Sequence, residues 1–292
     1  MDRSHTSADW AAGSRLPPLD KAFRIYLLRS LLAPVASARW THFICAFHRD
    51  AGAAPPVARV LAKPVRRYLH RAFWPRRRLA MLLEHYRRFA ALFASDFIRR
   101  ICSGESLVAV ALSGRRGSAY DIFVAASIVA VMQREGELAI YFAKRPGGEK
   151  LCRLSLCFAE VEGEPAAIIG GVQGPASVYK RAIIDATRDL YGLRPKDAVL
   201  LAARAMAEAL GFTAVHAVSD ANHVLRRLQE KAKFSHYDAY WRERGGRAGG
   251  PYGFAFGPLE PIAATDDKRD AAKRAVVEQM RAFVAARRAQ TP

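Results

Sequence analysis

Acidic residues are scarce in this chain: 27 Asp and Glu stand against 46 Lys and Arg over 292 residues, a formal charge of +19. Cysteine is scarcer still, and none of Cys45, Cys102, Cys152 and Cys157 forms a C-x-x-C pair. That argues against a disulfide-stapled scaffold and against a zinc site, so no metal is expected; free thiols in a reducing compartment are. Long apolar runs are lacking too. The longest, Ile122 to Met132, is interrupted by Ser127 and falls well short of the roughly 20 residues that a spanning helix needs. The first twenty residues hold Asp2, Asp9, Asp20, Pro17 and Pro18 and no apolar core, so they do not read as a secretory signal. The expectation is a cytoplasmic protein, able to sit at the inner face of the inner membrane. No Walker loop, G-x-G-x-x-G, HExxH or Ser-His-Asp order is present.

What is present begins with the distribution of charge. Residues 1–100 carry 19 Lys and Arg against 6 Asp and Glu; the other 192 carry 27 against 21. A basic first third points to anionic partners, either membrane lipid or a phosphorylated ligand, with nucleic acid as the alternative. Solvated charge in an Arg-rich chain is the bland reading.

The pattern along the chain predicts an α+β protein in three parts: a flexible lead over 1–20, a basic helical region over 21–103, and an α/β core with a C-terminal helix over 104–292. Helical spacing runs from Lys21 to Leu32. A second basic block reads as two helices broken at Pro75, with Leu79, Leu82, Leu83, Tyr86 and Phe89 on one face. Arg66, Arg67, Arg76, Arg77 and Arg78 occupy much of the rest and are candidate contacts for anions or lipid. After Gly104 the period changes. Leu107–Leu112, Glu137–Phe142, Leu151–Phe158 and Ala166–Gly170 read as strands of a mostly antiparallel or mixed sheet flanked by helices. Cys152 and Cys157, five apart, should face opposite sides. Helices follow from near Ser177 to Gly192 and from Pro195 to Gly211, then a strand over Phe212–Val218, a helix beginning near Asn222, and a last helix beyond Thr265.

Three constellations can carry chemistry. Gly170, Gly171, Gln173, Gly174 and Ser177 form a strand-to-helix turn able to hold an anion on free backbone N–H groups, or merely to turn the chain. Ser219-Asp220-Ala221-Asn222-His223 follows an apolar strand. His223 can titrate near neutral pH, whereas Asp220 or Asn222 can equally cap a helix. In His236-Tyr237-Asp238-Ala239-Tyr240-Trp241, Tyr237 and Trp241 share a helix face, and Asp238 can orient a hydroxyl or a histidine. His223, Tyr237, Asp238 and Tyr240 are thus the catalytic candidates. Arg194 and Lys196 add two cations at a helix corner that can engage phosphate.

The segments REGEL (134–138), IIGGVQGPA (168–176), TRDLYGLRPK (187–196), AVSDANHV (217–224) and HYDAYWRERGG (236–246) resemble the VirK/YbjX family of Gram-negative bacteria. HYRRF (85–89) and DKR (267–269) match more loosely. That resemblance implies a domain of unknown function. It implies links to virulence, resistance to cationic antimicrobial peptides, lipid A or envelope remodelling, and stress responses that include DNA damage; it carries over no catalytic residues. The order of elements also resembles that of acyl-CoA N-acyltransferases. There, the turn from Gln173 to Ala176 would hold the pyrophosphate of an acyl-CoA, with Asn222 beyond the next strand, and Tyr237 or Tyr240 would be the general acid.

Overall fold

The computed structural model describes residues 21–146, 148–175, 179–225 and 236–289. The lead over 1–20, Ser177 and residues 226–235 lie outside them; the helix expected to begin near Asn222 has not begun by residue 225, since 221–225 form turns and an isolated bridge.

Five helices come first: α1 (Lys21–Ser30), α2 (Pro34–Asp50), the single turn α3 (Ala58–Leu61), α4 (Pro75–Leu92) and α5 (Ser95–Cys102). α2 goes unread in the sequence, because Trp40, Ile44 and His48 on its buried face are diluted by alanine and polar residues. Pro75 does not break a helix but starts one. It stands in the first turn, where its missing N–H has no intrahelical partner to lose, and Trp74 before it is extended (φ −77°, ψ 163°). Leu79, Leu82, Leu83, Tyr86 and Phe89 are buried, as their spacing predicts.

The sheet has eight strands in the order β1-β2-β3-β4-β5-β6-β8-β7. β1 (Ser106–Ser113), β2 (Ala119–Ala126), β3 (Leu138–Arg145), β4 (Glu149–Val161) and β5 (Glu164–Gln173) form an antiparallel meander. β5 then pairs in parallel with β6 (Ala214–Val218), over Ala166–Ile169 against Ala214–Ala217. A parallel neighbour requires a crossover, and α6 (Lys180–Asp189) with α7 (Pro195–Ala209) supplies it. α8 (Tyr237–Glu243), the short strands β7 (Arg247–Gly249) and β8 (Gly253–Phe256), and α9 (Lys268–Ala285) complete the fold. The fold is therefore α+β, a mixed sheet flanked by helices. β2, β7 and β8 were not read from the sequence; Ile122–Met132, its longest apolar run, is the second half of β2 followed by turns.

Both faces of the middle strands are covered, which is why they read as nearly continuous apolar runs. On β4, Leu154, Leu156 and Phe158 join the core under α7 and α9, while Cys157, Ala159 and Val161 join the core under α2 and α4. Cys152 belongs to the first of these and Cys157 to the second, on opposite faces as expected. The exposed edge of β1 is closed by a side chain. Gln279 of α9 accepts from Ala111 N–H at 2.8 Å and donates to Ala111 O at 3.1 Å, as a neighbouring strand would.

Candidate functional site

The parallel ladder between β5 and β6 stops at Ile169, and there β5 bulges. Its register against β4 slips by one, leaving Gly170 as the extra residue. A Cβ on Gly170 would overlap the carbonyl oxygen of Glu135, and one on Gly171 would lie 2.6 Å from Glu135 Oε2. The two glycines thus let the 134–137 segment press onto the strand, a packing requirement that the anion-binding expectation did not foresee.

Four segments converge on this bulge. Glu135 Oε1 accepts from Gln173 Nε2 at 2.6 Å and faces His223 Nε2 at 3.2 Å. Both Glu135 and His223 are buried, at 1% and 0% exposure. Leu69 N–H donates to Arg134 O at 2.7 Å and Arg71 N–H to Asn222 O at 2.9 Å, tying residues 69–71 to both partners. Leu69 adopts φ 57°, a conformation that L-residues rarely take, so the surrounding contacts hold it under strain. The Tyr237 ring stands 4.9 Å from that of His223.

A carboxylate facing an imidazole can fix the position of a proton. Here the pair is sealed from water, so it acts on what touches it, Gln173 and Tyr237. Burial, and after it the charge of Glu135, pushes the Tyr237 hydroxyl well above the usual phenol range, which leaves it a proton donor. Gln173 is turned inward to Glu135 rather than out toward the turn it precedes.

The other catalytic candidates are committed elsewhere. Asp238 Oδ1 accepts from Asp220 N–H at 2.7 Å, and among the described residues no hydroxyl or histidine is seen bonded to its carboxylate. The Asp220 carboxylate accepts from the N–H groups of Tyr237 (2.9 Å) and Asp238 (3.2 Å) and closes the N-terminus of α8. Asn222 donates to Tyr252 O at 3.3 Å and holds the same turn. Tyr240 donates to Lys196 O at 2.9 Å, and burial and Asp197 raise its hydroxyl pKa too.

Beyond Gly174, whose Cβ direction is open, lies a cavity of about 470 Å³. Leu151, Cys152, Ile183, Ile184, Thr187 and Pro195 wall it, and Arg188, Arg194 and Lys196 bring three cations to it. Lys196 Nζ sits 3.7 Å from the centre of the Tyr240 ring. The neighbouring Asp197 is taken by Arg244 (2.7 and 2.8 Å). Desolvation lowers the pKa of Lys196.

A larger groove, about 1530 Å³, opens between the α1–α2 turn and the start of α4. Arg29, Arg39, Arg76, Arg78, Arg87 and Arg88 line it, against only Glu84 and Glu160. Arg66 and Arg78 are half-buried, and their pKa values are lowered first by desolvation and then by neighbouring arginines, Arg134, Arg29 and Arg59 beside Arg66, Arg67 and Arg29 beside Arg78. Arg67 is exposed, and Arg77 lies over the Phe73 ring. Leu28, Leu31, Leu32, Val35 and Trp74 stand in solvent here, 68–84% exposed. The sequence grouped all seven candidate cations into one anion-contacting set. The fold divides them: Arg76 and Arg78 line the groove, Arg66 and Arg67 act on its Arg29 and Arg78, Arg77 lies over the Phe73 ring, and Arg194 and Lys196 line the cavity.

Two buried carboxylates went unassigned in the sequence, Glu135 and Glu137. The second pairs with buried Lys63 and accepts from the Tyr86 hydroxyl at 2.8 Å. The signal was there in R-E-G-E-L: two acids immediately before an apolar strand, which burial obliges to find partners.

The family described as "Protein of unknown function (DUF535)" matches residues 20–277. "Uncharacterized protein YbjX" of Escherichia coli (strain K12) is 26% identical over 226 residues, covering 76% of this chain and 68% of that protein. Among solved structures, a "cAMP-binding acyltransferase from Mycobacterium smegmatis" aligns with a TM-score of 0.26 at 10% identity, over 69% of this chain. The chain spans 60% of that acyltransferase's length.

Proposed function

The chain belongs to the VirK/YbjX family of unknown function, and we propose that it acts as a peripheral membrane protein, docking through its basic N-terminal groove onto anionic lipid at the cytoplasmic face and supporting envelope resistance from there. One observation carries this reading. Leu31, Leu32, Val35 and Trp74 are exposed beside a groove lined by six arginines and two glutamates, both of which pair with Arg88. Apolar side chains of this size enter the acyl boundary while arginines meet phosphate, the combination that interfacial anchoring requires. No described helix is long and apolar enough to cross a membrane, so attachment by this face would be peripheral.

Vesicle flotation tests it. The protein floats with phosphatidylglycerol vesicles and not with phosphatidylcholine vesicles. Failure to float with either, together with tight DNA binding of steep salt dependence, would replace it with the nucleic-acid reading.

A second reading, an acyltransferase-like enzyme taking acyl-CoA at the Gln173 turn, is supported by the parallel β5–β6 pair that ends at a bulge beside the Gly174 cavity. Ligands of open sheets collect at the carboxyl ends of parallel strands. Thermal shift with a panel of acyl-CoAs decides it: no stabilisation by any member sinks this reading.

A further inference from the structure

The groove and the Gly174 cavity open at opposite ends of β4. Glu160 lines the groove and Leu151 the cavity, nine residues apart on the strand, about 30 Å. A protein docked on a bilayer through the groove therefore holds the cavity away from the lipid surface, and what enters there arrives from solution.

The cavity is built for an anion with an apolar part. Its volume, about 470 Å³, falls in the range of small-molecule sites. Leu151, Ile183 and Ile184 give it an aliphatic wall, and Ile184 is 44% exposed at the mouth. Arg188 and Arg194 reach it from two different elements, α6 and the residue before α7. Lys196 is mostly withdrawn from water, and among the described residues it forms no ion pair within 4 Å; its ammonium lies over the rings of Tyr240 and Tyr237. A desolvated ammonium that no carboxylate contacts directly, though Asp197 and Asp220 lie near enough to act on it, gains from an incoming anion. Three cations around one opening match the charge and the several acceptor oxygens of a phosphoryl group.

We propose that this cavity binds a soluble phosphorylated ligand with a short apolar segment, its phosphoryl group held by Arg188, Arg194 and Lys196 and its apolar part lying on Leu151, Ile183 and Ile184. The phosphoryl and apolar contacts rest on the cavity alone, whether or not the ligand is an acyl-CoA; that the ligand comes from solution rests on the proposed lipid docking.

Calorimetric titration of the full chain with octyl phosphate, below its micellar concentration, tests it. Octyl phosphate binds more tightly than inorganic phosphate or octanol, because both halves of the site are used. Lys196→Met keeps the aliphatic stem over Tyr240, and Ile184→Asp places a repelling carboxylate at the exposed mouth. Each weakens octyl phosphate about tenfold or more, while flotation with phosphatidylglycerol vesicles is unchanged. Should Lys196→Met unfold the chain, Ile184→Asp decides. The proposal is overturned if wild type does not bind octyl phosphate, if octanol binds equally well, or if Ile184→Asp leaves binding undiminished. It is equally overturned if Ile184→Asp abolishes binding to phosphatidate vesicles, since the ligand would then come from the membrane.

Discussion

Lys63 Nζ lies 2.6 Å from both carboxylate oxygens of Glu137, and neither side chain is more than 5% exposed. This ion pair joins the chain after α3 to the residue that enters β3, and Tyr86 of α4 adds a third bond to it. Removing one member leaves a charge in the interior with nothing to meet it. Lys63→Met is expected to cost about 3–5 kcal/mol of unfolding free energy. Replacing both, as Lys63→Met with Glu137→Met, is expected to cost less than Lys63→Met alone, since no orphaned charge remains. Urea denaturation of the two variants checks the order; a double variant less stable than the single would refute the account.

The bulge on β5 makes a sharper prediction about two glycines three residues apart. Gly171→Ala drives a methyl group against the Glu135 carboxylate and the His223 ring (2.6 and 3.2 Å), whereas Gly174→Ala meets nothing within 4 Å. Gly171→Ala should lose about 1–3 kcal/mol, the usual cost of overpacking, and Gly174→Ala close to none. Melting temperatures of the pair test this directly. Equal losses would mean that the glycines serve the backbone rather than the approach of Glu135.

These glycines show where reading the sequence succeeds and where it stops. Strands β1, β3, β4 and β5 follow from alternating and continuous apolar runs, and α7 from Pro195 at its start and Gly211 beyond its end; each is local physics. The density of glycine in Ile168–Gly174 marks a special place, but not why. The reason is Glu135, more than thirty residues earlier in the chain, and nothing local to the glycines points to it. His223 is the same case. As a lone histidine after a strand it suggests a titrating side chain in solvent, yet residues 69–71, 134–137 and Tyr237 bury it completely. Trp74 is the opposite case, a large aromatic that the fold leaves in water. It lies one residue before the helix whose apolar face is buried, outside the reach of helical periodicity.

His85 gives the pH dependence its direction. It is buried between Phe89 and Phe158, its Nδ1 accepts from Phe158 N–H at 3.0 Å, and desolvation, helped by the charge of Lys63, depresses its pKa from 6.5 to about 3. The folded protein therefore keeps His85 neutral while the unfolded chain takes up a proton below pH 6.5. Its contribution is complete above pH 6.5 and is lost as pH falls toward 3, at up to about 1.4 kcal/mol per pH unit. His48, His70 and His216 are lowered chiefly by burial as well and act with the same sign. His85→Asn keeps an acceptor near Nδ1 but cannot titrate, so its stability should fall less steeply between pH 6 and pH 4 (roughly the window between the two pKa values). Identical slopes in wild type and variant would show that His85 is not withdrawn from water as described.

Docking through the groove predicts an optical signal from one residue. Trp40 and Trp241 are fully buried, whereas Trp74 is 80% exposed. In a Trp10→Phe background, its emission should shift to the blue when anionic vesicles are added. Leu31 and Leu32 are exposed by 77% and 84%, and each gains about 1.5–3 kcal/mol if the lipid boundary buries it. Leu32→Asp should therefore weaken vesicle partitioning by about tenfold or more. Arg76→Gln should weaken it about fivefold, since one arginine near an anionic surface contributes about 1 kcal/mol. Salt distinguishes the two contributions. Raising it screens the arginine part and leaves the leucine part, so the Arg76→Gln deficit shrinks in high salt while the Leu32→Asp deficit persists. A Trp74 emission that ignores anionic vesicles, or a Leu32→Asp variant that partitions like wild type, would mean that this face does not meet lipid, and the exposed leucines would need another occupant.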